Sequence, residues 1–264
     1  FKVLEFEKAI REEFDVKNTL VCNSGTAALH LIYSALGLNA NNGLLTSPIS
    51  FLSTANAARM CGAPVYFADV DPITGLLTAE TLEKELKTIK NRVKVISIVH
   101  LGGHLCDLED IFKIAEKYGC YLVEDACHAP GAVYYGKNKE NHKIGSCRYS
   151  IASTFSFHAI KHITMGEGGC VTTKDDNLAQ KMRIKLSHGM QREGLKMSYS
   201  KDLDSPWYYE MTDLGWNYRA SEISCALGLS QIRRLKEIIH KREKIARHYK
   251  KCLNDIDGIR LPEF

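Results

Sequence analysis

The group in this sequence best suited to covalent chemistry is the side-chain amine of Lys161, which lies within residues 153–169. A run rich in β-forming residues, 151–157, precedes it, and the glycine-rich segment 166–169 follows it. A lysine at the end of a buried strand loses contact with water, and desolvation lowers the pKa of an ammonium group, which frees the amine. A free amine can form a Schiff base with a carbonyl compound. The alternative is a lysine in a surface loop, because lysines are rarely buried.

A second candidate site follows the short strand that the sequence predicts at 19–22. That strand leads through a small polar turn into a predicted helix over 27–36. The N-terminus of a helix offers unpaired N–H groups and the positive end of the helix dipole. Ser24 and Thr26 add hydroxyls, and Gly25 lets a ligand approach the backbone closely. These residues predict a phosphate site, although an ordinary helix N-cap would use the same residue types.

The remainder of the chain alternates predicted strands with predicted helices. Strands are predicted at 19–22, 44–46, 64–68, 93–99, 120–123, 151–157 and 170–173, and helices at 3–14, 27–36, 51–59, 79–88, 108–118 and 176–187. This alternation predicts a mostly parallel sheet covered by helices on both sides. Because ligands of such sheets bind at the carboxyl ends of the strands, we expect Thr26, Asp125 and Lys161 at one edge.

Three further segments have a distinct composition. Residues 134–143 are polar and rich in turn formers, and they predict an exposed hairpin. Residues 190–207 are polar and irregular, which indicates a loop. A long helical pattern runs over 221–254 with a predicted break near Gly228. Its second half, 233–251, is strongly basic and is expected to present a solvated face.

Composition excludes several functional classes. The 264 residues are 45% hydrophobic and 25% charged, as in a soluble globular protein, and a net charge of +4 spread along the chain predicts no nucleic-acid partner. The sequence predicts no transmembrane helix, and its acidic N-terminus does not resemble a signal peptide. Nine cysteines without a Cys-x-x-Cys pair indicate reduced thiols in a cytoplasmic protein. The spacing of His100 and His104 is not expected to hold a metal, because the residues between them do not predict a helix.

One cofactor would account for the lysine, the acid and the phosphate site together. Pyridoxal 5′-phosphate (PLP) carries an aldehyde that condenses with a lysine, here Lys161. Its pyridine nitrogen must stay protonated, which a carboxylate such as that of Asp125 secures. Its phosphate needs a helix N-terminus with hydroxyls, as predicted at residues 24–26. The three features therefore predict a PLP site.

Four blocks of the sequence resemble the signature blocks of the DegT/DnrJ/EryC1/StrS family of sugar aminotransferases. They are Ser24-Gly-Thr-Ala-Ala-Leu29, Ser47-Pro-Ile-Ser-Phe51 with Ala55-Asn-Ala57, Glu124-Asp-Ala-Cys-His128, and Ser156-Phe-His-Ala-Ile-Lys161 with Gly166-Glu-Gly-Gly169. The resemblance spans nearly the whole chain. It implies an α/β fold-type-I PLP-dependent transferase with a mostly parallel, seven-stranded sheet between helices.

The resemblance also implies a division into domains. Residues 1–225 correspond to the large PLP-binding domain, without the N-terminal segment that relatives carry. Residues 226–264 correspond to the connecting helix and the start of a smaller C-terminal α+β domain, which in relatives continues for roughly another hundred residues, within the ordinary size range of a domain. The sequence is therefore expected to be a piece of a longer protein.

Family roles carry over to the matching positions near the cofactor ring. The resemblance implies that Lys161 forms the Schiff base and that Asp125 pairs with the pyridine nitrogen, which makes these the two catalytic residues. His128 would lie beside the ring, and Phe51 would stack on it. From composition alone, both His128 and Phe51 would equally suit an ordinary core.

The resemblance places the phosphate group between Gly25, Thr26 and Ser156. It also matches Asn217 to an asparagine that reaches the phosphate of the partner subunit's cofactor. The implied assembly is a homodimer with a shared active site. No metal is implied.

Within the family, the segments 207–211, 214–219 and 226–231 resemble the branch that serves the pseudaminic-acid pathway. That branch implies transfer of an amino group from L-glutamate to C4 of a UDP-linked 4-keto-6-deoxy-N-acetylhexosamine. The alternatives are an aminotransferase for UDP-4-amino-4-deoxy-L-arabinose, which shares the His-Ala-Ile-Lys pattern, a PLP-dependent sugar dehydratase, and a non-catalytic binder. Dehydratases of this fold carry histidine where this chain has Lys161.

Overall fold

The computed structural model describes residues 1–89, 92–192 and 207–262, and its centre is a β-sheet. Within these residues the sheet has seven strands in the order β1-β9-β8-β5-β4-β2-β3. The strands are β1 (Asn18–Cys22), β2 (Gly43–Thr46), β3 (Val65–Phe67), β4 (Val93–Val99), β5 (Tyr121–Asp125), β6 (Val133–Tyr135), β7 (Asn141–Lys143), β8 (Ala152–Ser156), β9 (Gly169–Thr173), β10 (Met190–Gln191) and β11 (Glu210–Met211). Strands β6 and β7 form the predicted hairpin, and β10 and β11 pair with each other.

Six of the seven strands in the central sheet run in one direction. Neighbouring strands pair in parallel from β3 through β2, β4 and β5 to β8, whereas β9 is antiparallel to both β8 and β1. The prediction of a mostly parallel sheet is therefore confirmed. The exception has a physical cause: the loop 157–168 joins β8 to β9 without a helix that could cross a face of the sheet, as the connection between parallel neighbours usually does.

Helices cover both faces of the sheet, as predicted. They are α1 (Lys2–Phe14), α2 (Gly25–Ala35), α3 (Ser53–Met60), α4 (Ala79–Ile89), α5 (Leu108–Lys117), α6 (Asp176–Leu186), α7 (Glu222–Ile232) and α8 (Leu235–Leu253), with a short 3₁₀ turn at Leu101–Gly103. One core lies between the sheet and α2, α3 and α6. The other lies between the sheet and α1, α4, α5 and α7. No helix in the described ranges is both long enough and apolar enough to cross a membrane.

Aromatic stacking attaches α1 to β8, which leads into the loop 157–168 that contains Lys161, the lysine loop. The ring of Phe14 stacks on that of Phe155 in β8, with centroids 4.4 Å apart, and the ring of Phe6 lies 5.3 Å from that of Phe157. All four rings are fully buried. Rings at these separations add to the free energy already gained by burying their apolar surface. The base of the lysine loop is therefore anchored in the core.

The predicted helix break near Gly228 is wrong. Helix α7 continues through Gly228 to Ile232, and the chain breaks at residues 233–234, before α8. A Cβ atom at position 228 would lie 2.7 Å from Cζ of Phe6 and 2.9 Å from Cγ of Met165. Position 228 is a glycine because α7 lies close to Phe6 and Met165 there. From the sequence alone, a glycine that allows close packing cannot be distinguished from a glycine that ends a helix.

Two other sequence predictions concern surface segments. Most of the predicted loop at 190–207, residues 193–206, lies outside the described residues. In α8 the buried residue is Leu235, at its first position, so the basic run over 233–251 is confirmed as a solvated face. The division into domains at residue 225 stays a prediction.

Substituting Gly228 with valine should lower the free energy of unfolding by about 1–3 kcal/mol, because the side chain would displace the ring of Phe6. Ala226→Val is the matched control, since Ala226 is exposed on the same helix. Chemical denaturation of both variants and the parent protein measures the difference. Valine has a higher helix propensity than glycine and a lower one than alanine, so helix propensity alone would destabilise only the Ala226→Val variant. A Gly228→Val variant at least as stable as the parent protein would contradict the packing explanation.

Candidate active site

A cleft of about 590 Å³ opens where the carboxyl ends of the parallel strands meet. Seven of the eight residues predicted for the site line it: Gly25, Thr26, Phe51, Asp125, His128, Ser156 and Lys161. Sequence reasoning did not single out several other residues of the lining, namely Ser50, Ser53, Val99, Cys127, His158, Ile160 and Glu167. The structure thus brings together residues from five segments of the chain, as expected for an edge formed by strand ends.

The first turn of α2 forms a cradle at one end of the cleft. The Ser24 hydroxyl accepts a hydrogen bond from the Ala27 N–H at 3.1 Å, so Ser24 is the N-cap of the helix. A Cβ atom at Gly25 would lie 3.0 Å from Cβ of Ser156, and a Cβ atom at Gly169 would lie 2.5 Å from the Ser24 carbonyl group. Two glycines therefore allow the helix N-terminus to lie against the ends of β8 and β9. The N-terminus of α2 and Ser156 line the same end of the cleft, an arrangement that suits an anion.

Asp125 is the last residue of β5 and is only 5% exposed. Its Oδ2 accepts a hydrogen bond from the Thr54 hydroxyl at 2.7 Å, and its Oδ1 accepts one from the Cys127 N–H at 3.3 Å. The Thr54 hydroxyl lies 2.8 Å from that of Ser50 in the cleft lining. The carboxylate therefore has a fixed orientation toward the cleft. The sequence carried no local signal for Thr54, because the contact joins residues 71 positions apart.

His128 is partly buried beside Asp125 and lines the cleft. Its Nδ1 accepts a hydrogen bond from the Gly102 N–H at 3.2 Å. Burial and, to a smaller extent, the charge of Lys161 lower the pKa of His128, so its imidazole is neutral at pH 7. With Nδ1 accepting, Nε2 carries the proton. His128 is thus a cleft residue that can donate a hydrogen bond, and not a core histidine.

A buried polar pair fixes the turn that contacts His128. The imidazole Nε2 of His100 lies 3.1 Å from a carboxylate oxygen of Glu124, and both side chains are almost fully buried. Burial alone would raise the pKa of Glu124, but hydrogen bonds from His100, Ser150 and Ser153 hold that pKa below its ordinary value. His100 is engaged with a carboxylate on the side of the sheet opposite Asp125. This pairing assigns it a structural role at the start of the 3₁₀ turn.

Lys161 lies in the loop between β8 and β9, five residues beyond the end of β8. The base of the loop is closed by hydrogen bonds from the Phe157 N–H to the Gly168 carbonyl and from the Met165 N–H to the Phe157 carbonyl, both 2.8 Å. The expectation of a lysine at the very end of a buried strand is therefore wrong in detail. Lys161 is partly buried, and the loop tip beside it, including Ile160, is exposed.

Phe51 is 71% exposed and precedes α3 at the rim of the cleft. The alternative that Phe51 belongs to an ordinary core is therefore wrong. Ile160, also in the lining, is 70% exposed. Together they give the cleft an apolar rim that a planar ring can contact.

Asn217 lies outside the lining of this cleft. It is exposed, and its carbonyl oxygen accepts a hydrogen bond from the Asn23 side chain at 3.2 Å. Its backbone also pairs with that of Ser187. The side chain is thus held at the surface beyond the end of β1. Its role toward a partner subunit stays a prediction.

His162 is a titratable residue that sequence reasoning left without a role. Burial, together with the charges of Arg242, His128 and Lys161, lowers the pKa of His162 to about 4. Its Nδ1 is buried and has no hydrogen-bond partner among the described residues. The imidazole is therefore neutral at pH 7, next to the lysine.

The residues of the cleft fit PLP in three independent respects. A side chain at Gly25 would press on Ser156, and one at Gly169 would collide with the Ser24 carbonyl group. Only glycine at both positions preserves the cradle, and a helix N-terminus that is open to a ligand is what a bound phosphate requires. The buried Asp125 carboxylate is the acceptor that a protonated pyridine nitrogen needs. The amine of Lys161 lines the same cleft. Fold and site together match the fold-type-I class of PLP-dependent proteins.

Comparison with known proteins agrees with this class. The sequence pattern of the DegT/DnrJ/EryC1/StrS aminotransferase family matches residues 2–264. The chain is 39% identical over 250 residues to the UDP-4-amino-4,6-dideoxy-N-acetyl-beta-L-altrosamine transaminase of Campylobacter jejuni strain 81-176, covering 95% of this chain and 61% of that protein. It is 37% identical over 251 residues to the GDP-perosamine synthase of Caulobacter vibrioides, covering 95% and 62%.

A solved structure matches as well. Helicobacter pylori PseC, an aminotransferase involved in the biosynthesis of pseudoaminic acid, superposes with a TM-score of 0.85 at 35% identity, covering 97% of this chain and 64% of that one. The chain belongs to the DegT/DnrJ/EryC1/StrS family of PLP-dependent sugar aminotransferases. It spans between 61% and 64% of the length of these three relatives.

Replacing Thr54 with valine should weaken PLP binding about tenfold, because a buried carboxylate loses a hydrogen bond worth roughly 1.5–3 kcal/mol. Thr54→Ser, which keeps the hydroxyl, should bind PLP almost as well as the parent protein. Titration with PLP followed by absorbance measures both dissociation constants. A valine variant that binds PLP like the serine variant would show that Thr54 does not orient Asp125.

His162 should make the protein less stable in acid. The unfolded chain binds a proton at this residue below about pH 6.5, whereas the folded chain does so only near pH 4, so stability falls as pH decreases between these values. At about pH 5 the loss should be about 1–2 kcal/mol relative to about pH 7.5. His162→Asn should remove that loss, whereas His240→Asn on the exposed face of α8 should not. Urea unfolding at the two pH values tests this, and equal acid sensitivity in all three proteins would contradict it.

Proposed function

We propose that this chain is the cofactor-binding part of an aminotransferase that moves an amino group from L-glutamate to C4 of a UDP-linked 4-keto-6-deoxy-N-acetylhexosamine. The observation that carries the proposal is the meeting of Lys161, Asp125 and the Gly25 cradle in one cleft. When bound, PLP supplies an electron sink that lets an amino acid lose its α-proton. The remaining steps depend on residues of this chain.

Lys161 is the residue that would hold PLP covalently and, once displaced by the amino donor, act as the base. Its amine lies in a loop whose base is fixed in the core while its tip faces the cleft. The same amine can take the α-proton of glutamate and later return a proton to C4 of the sugar. One lysine thus serves both half-reactions as base and then as acid.

Asp125 and His128 determine the distribution of charge in the site. The Asp125 carboxylate, oriented by Thr54, is placed to keep a proton on the pyridine nitrogen. The neutral His128 adds a hydrogen-bond donor without adding a second positive charge near Lys161. Such fixed groups need no reorganisation when charge moves during the reaction.

The sugar nucleotide is the more specific part of the proposal. Relatives at 39% and 37% identity act on a UDP-linked and a GDP-linked sugar by name, so overall identity does not separate the two. The UDP-linked 4-keto-6-deoxy-N-acetylhexosamine is favoured by the segments 207–211 and 214–219, which resemble the pseudaminic-acid branch. The likeness to PseC supports the same choice.

A homodimer with a shared site is part of this proposal. Asn217 is exposed and lies outside the cleft of its own chain, as a residue that serves a partner's cofactor must. The nearby Leu214 and Ile223 are exposed apolar side chains at 62% and 86%, which a subunit contact would cover. All nine cysteines are free, which supports a cytoplasmic location.

Absorption spectra of the purified protein with PLP test the chemistry. We expect a band of lysine-bound PLP that bleaches when L-glutamate is added, because the cofactor is converted to its amino form. Lys161→Ala should lose the band and all turnover, since Lys161 is the one lysine among the described residues that line the cleft. A variant without Lys161 that retained substantial turnover would refute the assignment.

The substrate is then identified by adding 4-keto sugar nucleotides one at a time to the bleached protein. Return of the band with UDP-4-keto-6-deoxy-N-acetylhexosamine is the expected result. Return only with UDP-4-keto-L-arabinose, or only with a GDP-linked sugar, would replace the proposed substrate while leaving the aminotransferase intact. An unchanged spectrum with glutamate would contradict the proposed amino donor.

A further inference from the structure

The tip of the lysine loop has little packing of its own. Ala159 and Ile160 are exposed, and Lys161 and His162 are only partly buried. Inside the loop, the Lys161 N–H donates to the His158 carbonyl at 2.9 Å. A short exposed turn of this kind does not hold a side chain in one place without contacts from outside the loop.

One such contact comes from α8. Nη2 of Arg242 donates to the carbonyl oxygens of Ile160 and Lys161, at 3.0 Å and 3.2 Å. The peptide group between Ile160 and Lys161 is therefore held from both sides, by its own loop at the Lys161 N–H and by a distant helix at the Ile160 carbonyl. The charged donor makes these hydrogen bonds stronger than those between neutral groups.

Helix α8 is itself fixed against the other side of the site. Leu235 is 1% exposed, and Ile239 packs on Gly131, three residues beyond His128. Leu235, Ile239 and Arg242 are spaced by four and three residues, so they lie on one face of the helix. This face contacts both the segment after His128 and the loop of Lys161.

We infer that Arg242 is a positioning residue that sets the place of the Lys161 amine relative to His128 and Asp125. Arg242 does not line the cleft, and its hydrogen bonds reach the site through the backbone carbonyls of Ile160 and Lys161. The inference rests on the proposed function, because it gives Arg242 a role in reactions that Lys161 carries out. Misplacement of a reacting group by about 1 Å can cost roughly two orders of magnitude in rate, so fixing a loop tip matters.

The first test examines the loop without PLP. Hydrogen–deuterium exchange, followed by mass spectrometry, should show that Arg242→Gln speeds exchange of the amides at 159–162 by about tenfold. Arg247→Gln is the matched control: Arg247 is on the same helix, and it forms an ion pair with Glu243 of that helix. Neither substitution should change exchange in β4 and β5. Equal exchange of the loop in the two variants would overturn the proposal.

The second test measures how fast the protein captures PLP, with borohydride reduction and peptide mapping to confirm attachment at Lys161. Arg242→Gln should capture PLP about tenfold more slowly than the parent and the Arg247→Gln variant. Arg242→Lys should recover part of that rate, because one ammonium can still bond to a carbonyl. A faster-exchanging loop with an unchanged capture rate would mean that Arg242 orders the loop without positioning the amine, and the proposal would fail. A parent protein that never attaches PLP would instead refute the proposed function.

Discussion

The site depends on one close approach of backbone at the ends of three strands. Gly169 pairs with Cys22 of β1 on one side and with Ser156 of β8 on the other. A side chain at Gly169 would collide with the Ser24 carbonyl, and one at Gly25 would press on Ser156. Because both positions lack side chains, the N-terminus of α2 lies in contact with the end of β8. That contact brings the anion cradle and the lysine loop to the same edge of the sheet.

Two adjacent carboxylates on β5 support this edge from opposite faces. Side chains alternate along a strand, so Glu124 faces His100 and Ser153, whereas Asp125 faces Thr54. A buried carboxylate is costly unless hydrogen bonds satisfy it. Glu124 is fully enclosed by such partners and fixes the turn beside His128. Asp125 keeps one side open to the cleft, which leaves it available to a ligand.

The chemistry of the site is divided between rigid and adjustable parts. Asp125 and the cradle belong to the sheet and to α2, whose side chains are largely buried. Lys161 belongs to a loop whose base is buried and whose tip is exposed, where it can approach and leave a reacting atom. Arg242 contacts that tip from α8, which packs on the segment after His128. The backbone of Lys161 is therefore held in place, and only its side chain has to approach and leave a reacting atom.

The sequence by itself determined the alternation of strands and helices and the candidates Lys161 and Asp125, because periodicity, glycine turns and residue chemistry are local properties. Resemblance to a family added Phe51, His128 and Ser156. Only the tertiary structure decided that Gly228 lies inside a helix, that Phe51 is exposed, and that Thr54 and Arg242 contact the site. Each of these depends on residues far apart in the chain, and no local pattern records which distant side chain will fill a given space.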